Sequence, residues 1–235
     1  MTQGDIIGLI TSYVYAFGLL FIVEAIGKQL KWPQHFTRKI VHIGAGMWLW
    51  GILYFFDHWY FGIIPFATFI ILNYIFYRRT TFEQMDDEES SPGTVYFAFS
   101  ITVLFAIFWR TEGQIDSVPL AAAAVMAMTW GDGMASIIGR KIGKTEYTIF
   151  NHTRTWEGTA AMIVFSYIAV FLTLWLLPGS AMSPNSAVIG IGPAAIIALY
   201  TTMTAAFFEG VTPAGMDNLT VPLMSALTLW LLSLL

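Results

Sequence analysis

The chain has 235 residues, 57% of them hydrophobic and only 11% charged, with a mean hydropathy of +0.67. Soluble domains carry about 25% charged residues, so this composition excludes an ordinary soluble fold and describes an integral membrane protein. A net charge of −4 argues against nucleic-acid binding, and the absence of cysteine excludes disulfides, cysteine metal sites and thiol nucleophiles.

A membrane-spanning helix needs about 20 apolar residues. Eight stretches qualify, at roughly 5–27, 39–56, 58–77, 94–110, 117–138, 159–177, 187–208 and 218–235, which predicts an all-α polytopic bundle forming one domain over 1–235. Fusing the second and third, or discounting the short eighth, leaves seven or six. The first span has no Lys or Arg ahead of it and reads as a retained helix, not a signal peptide. With eight spans, ten of the eleven basic residues fall on one side: Lys28, Lys31, Arg38, Lys39, Arg78, Arg79, Arg140, Lys141, Lys144 and Arg154, against Arg110 alone on the other. The positive-inside rule makes that side cytoplasmic and puts both termini outside.

The polar groups with chemical potential sit at helix ends on that side. Arg38 and Lys39 open the second span, where cations commonly snorkel to the interface, and His42 lies one turn deeper on the Arg38 side. The acidic segment from Arg78 to Ser91, with Glu83, Asp86, Asp87, Glu88 and Glu89, reads as a solvated loop.

The fifth span is expected to run on as a helix past residue 138. Ala123, Ala127, Gly131, Ala135, Gly139 and Gly143 then form a small-residue face that lets another helix approach. One position further round, Asp132, Ser136, Arg140 and Lys144 make a polar stripe. Asp132 could sit at a metal with Arg140 and Lys144 toward phosphate oxygens, or it could simply pair with a cation. The segment Gly139-Arg140-Lys141-Ile142-Gly143-Lys144-Thr145 is not a P-loop. It has three residues between its glycines where that motif needs four, and it follows a helix, not a strand.

Before the sixth span, Thr155 and Glu157 suit a helix cap and the first helical turn, while Arg154 could hold a phosphate at the helix N-terminus. The stretch 178–194 reads as an external turn leading into a helix. Beyond the seventh span come Glu209 and then Asp217-Asn218, ahead of a helix that Pro222 could start. These are turn and cap residues by type, and also oxygen ligands of the kind magnesium takes alongside waters and phosphates. Together, the four helix ends supply cations, carboxylates, an amide and glycines on one face, the mixture that a metal-bound polyphosphate nucleotide requires.

These elements carry a family resemblance. The set Arg38-Lys39-x-x-His42; Gly131-Asp132-x-x-Ala135-x-x-x-Gly139-x-x-x-Gly143-Lys144; Arg154-Thr155-x-Glu157-Gly158; Glu209; and Asp217-Asn218-x-x-Val221-Pro222 resembles the CTP-dependent polyprenol kinases. That group includes phytol kinases, dolichol kinases and the yeast-type CTP-dependent diacylglycerol kinase, with a more distant likeness to phosphatidate cytidylyltransferases. The short chain is more similar to the phytol kinases. Arg154 departs from the lysine expected there, and the two cations present different donor geometry.

The resemblance implies transfer of the γ-phosphate of CTP to a membrane-embedded lipid alcohol such as phytol, geranylgeraniol, farnesol or a polyprenol, with magnesium as cofactor. It implies Asp132, Glu209 and Asp217 as metal ligands, with Asp132, Glu157 and Asp217 as the catalytic set and Asp132 as base for the alcohol. Arg38, Lys39, His42, Gly139, Arg140, Gly143, Lys144, Arg154, Thr155 and Asn218 would surround the nucleotide phosphates. Phe97, Phe99 and Phe165 are expected to line a prenyl groove. Two other functions use the same features: synthesis of a CDP-activated lipid, and transport without chemistry, which would require the charges to line a path across the bilayer.

Overall fold

A computed structural model describes residues 1–79, 81, 92–111, 115–150, 152–213 and 215–234. The acidic run Glu83–Glu89 lies outside the described residues. The chain forms helices α1 (Gln3–Leu30), α2 (Gln34–Met47), α3 (Leu49–Phe55), α4 (Trp59–Gly62), α5 (Ile64–Arg79), α6 (Gly93–Phe108) and α7 (Val118–Ile142). A short hairpin of β1 (Glu146–Ile149) and β2 (His152–Thr155) follows, then α8 (Trp156–Leu176), α9 (Ile191–Val211) and α10 (Asp217–Leu232). The protein is an all-α polytopic bundle. Among the described residues, five segments are helical, long and apolar enough to cross a membrane: Gln3–Leu30, Trp59–Arg79, Val118–Ile142, Trp156–Leu176 and Ile191–Val211. Gly93–Phe108 is a shorter apolar helix. The expected span 39–56 is two helices, α2 and α3, meeting at Trp48, and the expected eighth span is the 16-residue α10.

Helix α7 is the centre of the bundle. Its first four turns are apolar or small on every side, so it can be surrounded; Ala121 through Val125 are fully buried. The small-residue face packs on α8 as the spacing requires. A Cβ on Gly131 would lie 2.5 Å from the Met162 sulfur, and one on Gly158 would lie 3.1 Å from the Ala135 carbonyl. On its other flank α7 meets α2, where Gly46 leaves room for the Thr129 side chain. Large apolar residues such as Val14, Phe21, Ile71, Ile196 and Phe207 point outward, as befits helices solvated by lipid.

Local chemistry explains the helix ends. Thr2 and Asp5 form a reciprocal capping box on α1, which stops at Lys31 in the left-handed region (φ 53°). Thr155 caps α8, its hydroxyl accepting from the Gly158 N–H at 3.1 Å. Pro222 does not start α10; it lies inside it, five residues after Asp217. A proline there removes the N–H that would bond the Asn218 carbonyl one turn back. The buried Ser100 hydroxyl of α6 donates to that carbonyl instead, at 2.9 Å.

Among the described residues the hairpin is the one β element. Four ladder pairs run from Glu146–Thr155 to Ile149–His152, and Phe150 turns the chain with φ 46°. It connects the end of α7 to the start of α8 and sets Arg154 opposite Tyr147.

Candidate active site

The polar helix ends converge. Lys39, in the first turns of α2, reaches across to α7 and donates from Nζ to Asp132 Oδ2 at 2.5 Å, with both side chains largely buried. His42, one turn on, places Nε2 3.5 Å from the same oxygen and 3.4 Å from the Met128 carbonyl, with its ring against Phe97.

From the far side, Arg154 points its guanidinium in from β2. Its Nε lies 3.1 Å from Glu209 Oε1 and its Nη2 3.6 Å from Asp217 Oδ2. Nη2 also donates to the Glu209 and Thr212 carbonyls at the end of α9, at 3.3 and 3.4 Å. Asp217 turns its other oxygen to the Gly215 and Asn218 N–H groups, at 3.0 and 2.9 Å. Lys39 and Arg154 lie within Coulombic reach of all three carboxylates, Asp132, Glu209 and Asp217.

Two buried cations thus serve three buried carboxylates. Taking such ions out of water costs several kcal/mol each, repaid only if partners hold them. Beside them the Asn218 Oδ1, fully buried, has no hydrogen-bond partner among the described residues. Among the described residues no three His, Asp or Glu side chains are gathered into a self-sufficient metal cage.

Other residues singled out from the sequence stand elsewhere. Arg140 and Lys144 are exposed at the rim. Arg140 acts electrostatically on His35 together with Arg38, and burial, then these two cations, hold the His35 imidazole below its usual range. The sequence did not single out His35, because a lone histidine in the first turn of a helix carries no pattern. Both carboxylate oxygens of Glu157 lie 3.3 Å from the Thr145 N–H, so Glu157 pins the turn after Lys144 and stands apart from the carboxylate centre.

Gly139 and Gly143 serve packing. A Cβ on Gly139 would lie 2.9 Å from the Thr155 hydroxyl, and one on Gly143 would clash with the Gly139 carbonyl. With Gly158 they let α7, the hairpin and α8 cross in contact.

An apolar cleft runs between α1, α2, α5 and α6. Its walls include Leu19, Phe69, Phe97 and Ile101, and its polar end is formed by Arg38, Lys39, His42 and Asn218. Phe97 is therefore a wall residue as expected. Phe99 and Phe165 are not among the lining side chains, and Phe99 is half exposed on the other face of α6. The contribution of α1 was invisible in sequence, since its lining positions, Ser12, Tyr15, Ala16, Leu19 and Leu20, are ordinary for a membrane helix.

Fold and site together define a polytopic membrane protein whose buried carboxylate–cation centre adjoins an apolar cleft. The chain is 30% identical over 225 residues to a phytol kinase of Synechocystis sp. (strain ATCC 27184 / PCC 6803 / Kazusa), covering 95% of this chain and 90% of that protein. It is 28% identical to a probable chloroplastic phytol kinase 3 of Glycine max, over 95% of this chain and 71% of that one. It is 26% identical to a chloroplastic farnesol kinase of Arabidopsis thaliana, over 97% and 75%. No family model matches the chain, and no solved structure matches it significantly. The chain belongs to the polyprenol kinase family, on its phytol kinase side.

Proposed function

We propose that this protein transfers the γ-phosphate of CTP to the hydroxyl of a prenol such as phytol, geranylgeraniol, farnesol or a polyprenol, yielding the lipid monophosphate and CDP at the cytoplasmic membrane face. One observation carries the reading: Lys39 and His42 line the polar end of an apolar cleft and also contact Asp132 of the buried carboxylate centre. A lipid hydroxyl in the cleft and a metal-bound triphosphate at the carboxylates would meet at these two side chains. The phytol kinase and farnesol kinase relatives support a prenol acceptor. CTP rests on the motif resemblance, and the cytoplasmic face on the one-sided distribution of Lys and Arg.

The donors available suit magnesium. Asp132, Glu209, Asp217 and the unpartnered Asn218 Oδ1 are all hard oxygens. Magnesium takes one or two carboxylates and completes its shell with water and phosphate, so it would not need all of these donors at once. When bound, magnesium would neutralise charge on the transferring phosphate.

The chain's own residues do the rest. Lys39 and Arg154 hold phosphate oxygens from opposite sides, and Arg38, Arg140 and Lys144 form a basic rim that draws the nucleotide in. Glu157 positions Lys144 through Thr145. The His42–Asp132 pair takes the hydroxyl proton as the alcohol oxygen bonds to the γ-phosphorus and the bond to CDP breaks.

Purified protein with magnesium, γ-labelled CTP and phytol, geranylgeraniol or farnesol should give labelled lipid monophosphate. His42→Ala should slow turnover by about 10²–10⁴-fold, the usual contribution of a positioned base. Label transfer from ATP alone would defeat the nucleotide assignment; release of pyrophosphate with a CDP-lipid would make the protein a cytidylyltransferase.

A further inference from the structure

We propose that Trp48 closes the deep end of the apolar cleft and thereby sets the longest chain that an acceptor alcohol can carry; the inference rests on reading the cleft as the acceptor's site.

The wall residues of α2 step down one face, from Arg38 and Lys39 through His42 and Ala45, and end at Trp48. At about 1.5 Å per residue the cleft descends roughly 15 Å between the first and last of these. Helix α1 runs the other way, so Ser12 and Tyr15 arrive at the same depth as Trp48.

Trp48 is fixed there from three directions. Its ring stacks on Tyr15, with centroids 4.3 Å apart and planes 18° from parallel. Its Nε1–H donates to the buried Ser12 hydroxyl at 3.0 Å. On its third side Gly51 is bare: a Cβ there would lie 2.7 Å from the indole. Tyr15 is itself anchored, donating its hydroxyl to the Gly44 carbonyl at 2.8 Å. The break between α2 and α3 falls at Trp48, so the residue that ends the helix also ends the cleft.

A floor of interlocked aromatic rings cannot yield to a longer chain as a flexible aliphatic wall could, because close-packed interiors resist deformation. The polar end fixes the hydroxyl at His42 and Lys39. The distance from there to Trp48 is therefore the measure of the chain, and alcohols beyond that length must fold back or leave their tails outside.

The test measures kcat/KM for farnesol, geranylgeraniol, phytol and a long polyprenol with the full-length protein and two variants. Trp48→Ala should open the floor and raise the ratios of phytol and of long polyprenol to farnesol about 10-fold or more, the usual discrimination of a hydrophobic pocket. Ala45→Phe should raise the floor by one turn and shift the ratio of farnesol to phytol upward by a similar factor. Structural damage alone would lower all alcohols together and leave the ratios fixed. Unchanged ratios in an active enzyme overturn the inference while leaving the acceptor site standing. If Trp48→Ala does not fold, Ala45→Phe decides. A wild-type protein that phosphorylates no prenol overturns the acceptor reading, and this inference with it.

Discussion

Two sets of buried carboxylates lie at opposite ends of the bundle, and they are partnered in different ways. At the end away from the cleft mouth, Asp5 is fully buried. It accepts from the Asp57 and His58 N–H groups on one oxygen and from the Thr2 N–H and hydroxyl and His58 Nδ1 on the other, at 2.7–3.2 Å. Asp116 is held likewise by the Arg110 and Val118 N–H groups and the Ser183 hydroxyl. These carboxylates tie loops to helix ends, and their acceptor capacity is largely used by fixed donors.

The carboxylates near the cleft are held differently. Asp132 and Glu209 take the side chains of Lys39 and Arg154, long cations able to exchange partners, and the neighbouring Asn218 Oδ1 takes none. Asp217 stands between the two cases, with one oxygen on the Gly215 and Asn218 N–H groups and the other 3.6 Å from Arg154 Nη2. Burial is common to both ends; the share of side-chain cations among the donors is what separates them.

The sharpest way to break this contrast is Asp132→Asn. Phosphate transfer should fall to background while the protein stays folded in detergent, as judged by helical circular dichroism; retained turnover would remove Asp132 from the site. Asp5→Ala should do the reverse. It strands the Asp57 and His58 N–H groups, and an unsatisfied buried donor costs about 1–3 kcal/mol. Thermal unfolding in detergent should move down while kcat/KM of the folded fraction stays near wild type.

The smallest effect is a pH dependence at Asp116. Burial, opposed in part by its hydrogen bonds, holds this carboxyl above its ordinary 3.8. The folded protein therefore binds a proton that the unfolded chain has released, and this group's contribution to stability falls as pH rises from about 4 through the raised value. Asp116→Asn keeps the oxygen that accepts from Arg110 and Val118. It should flatten that part of the stability–pH curve, and superimposable curves would show that Asp116 does not titrate in the window.

Much of the candidate site's composition was legible in the chain because the signals are local. Asp132, Glu209 and Asp217 stand out as acids bordering apolar helices, Thr155 has a capping residue's place, and the Ala/Gly stripe of α7 has the period of a packing face. Other features depended on non-local neighbours. Gly139 and Gly143 look like a phosphate-approach loop, yet their bare Cα atoms are needed because Thr155 and Gly158 press against α7. The strands at 146–155 are four residues each, too short for an alternating pattern to register. Pro222 looks like a helix start, and only the Ser100 hydroxyl arriving from α6 lets it sit inside one.

The chain by itself determined the membrane class, the approximate helices and the clustering of polar residues at one set of helix ends, because hydropathy and charge act over short windows. Tertiary structure alone decided which cation faces which acid and that α1 walls a cleft. It also decided that Trp48 lines that cleft with its ring stacked on Tyr15. Those facts depend on contacts between residues far apart in sequence, where an apolar position facing lipid and one facing a cavity are spelled with the same letters.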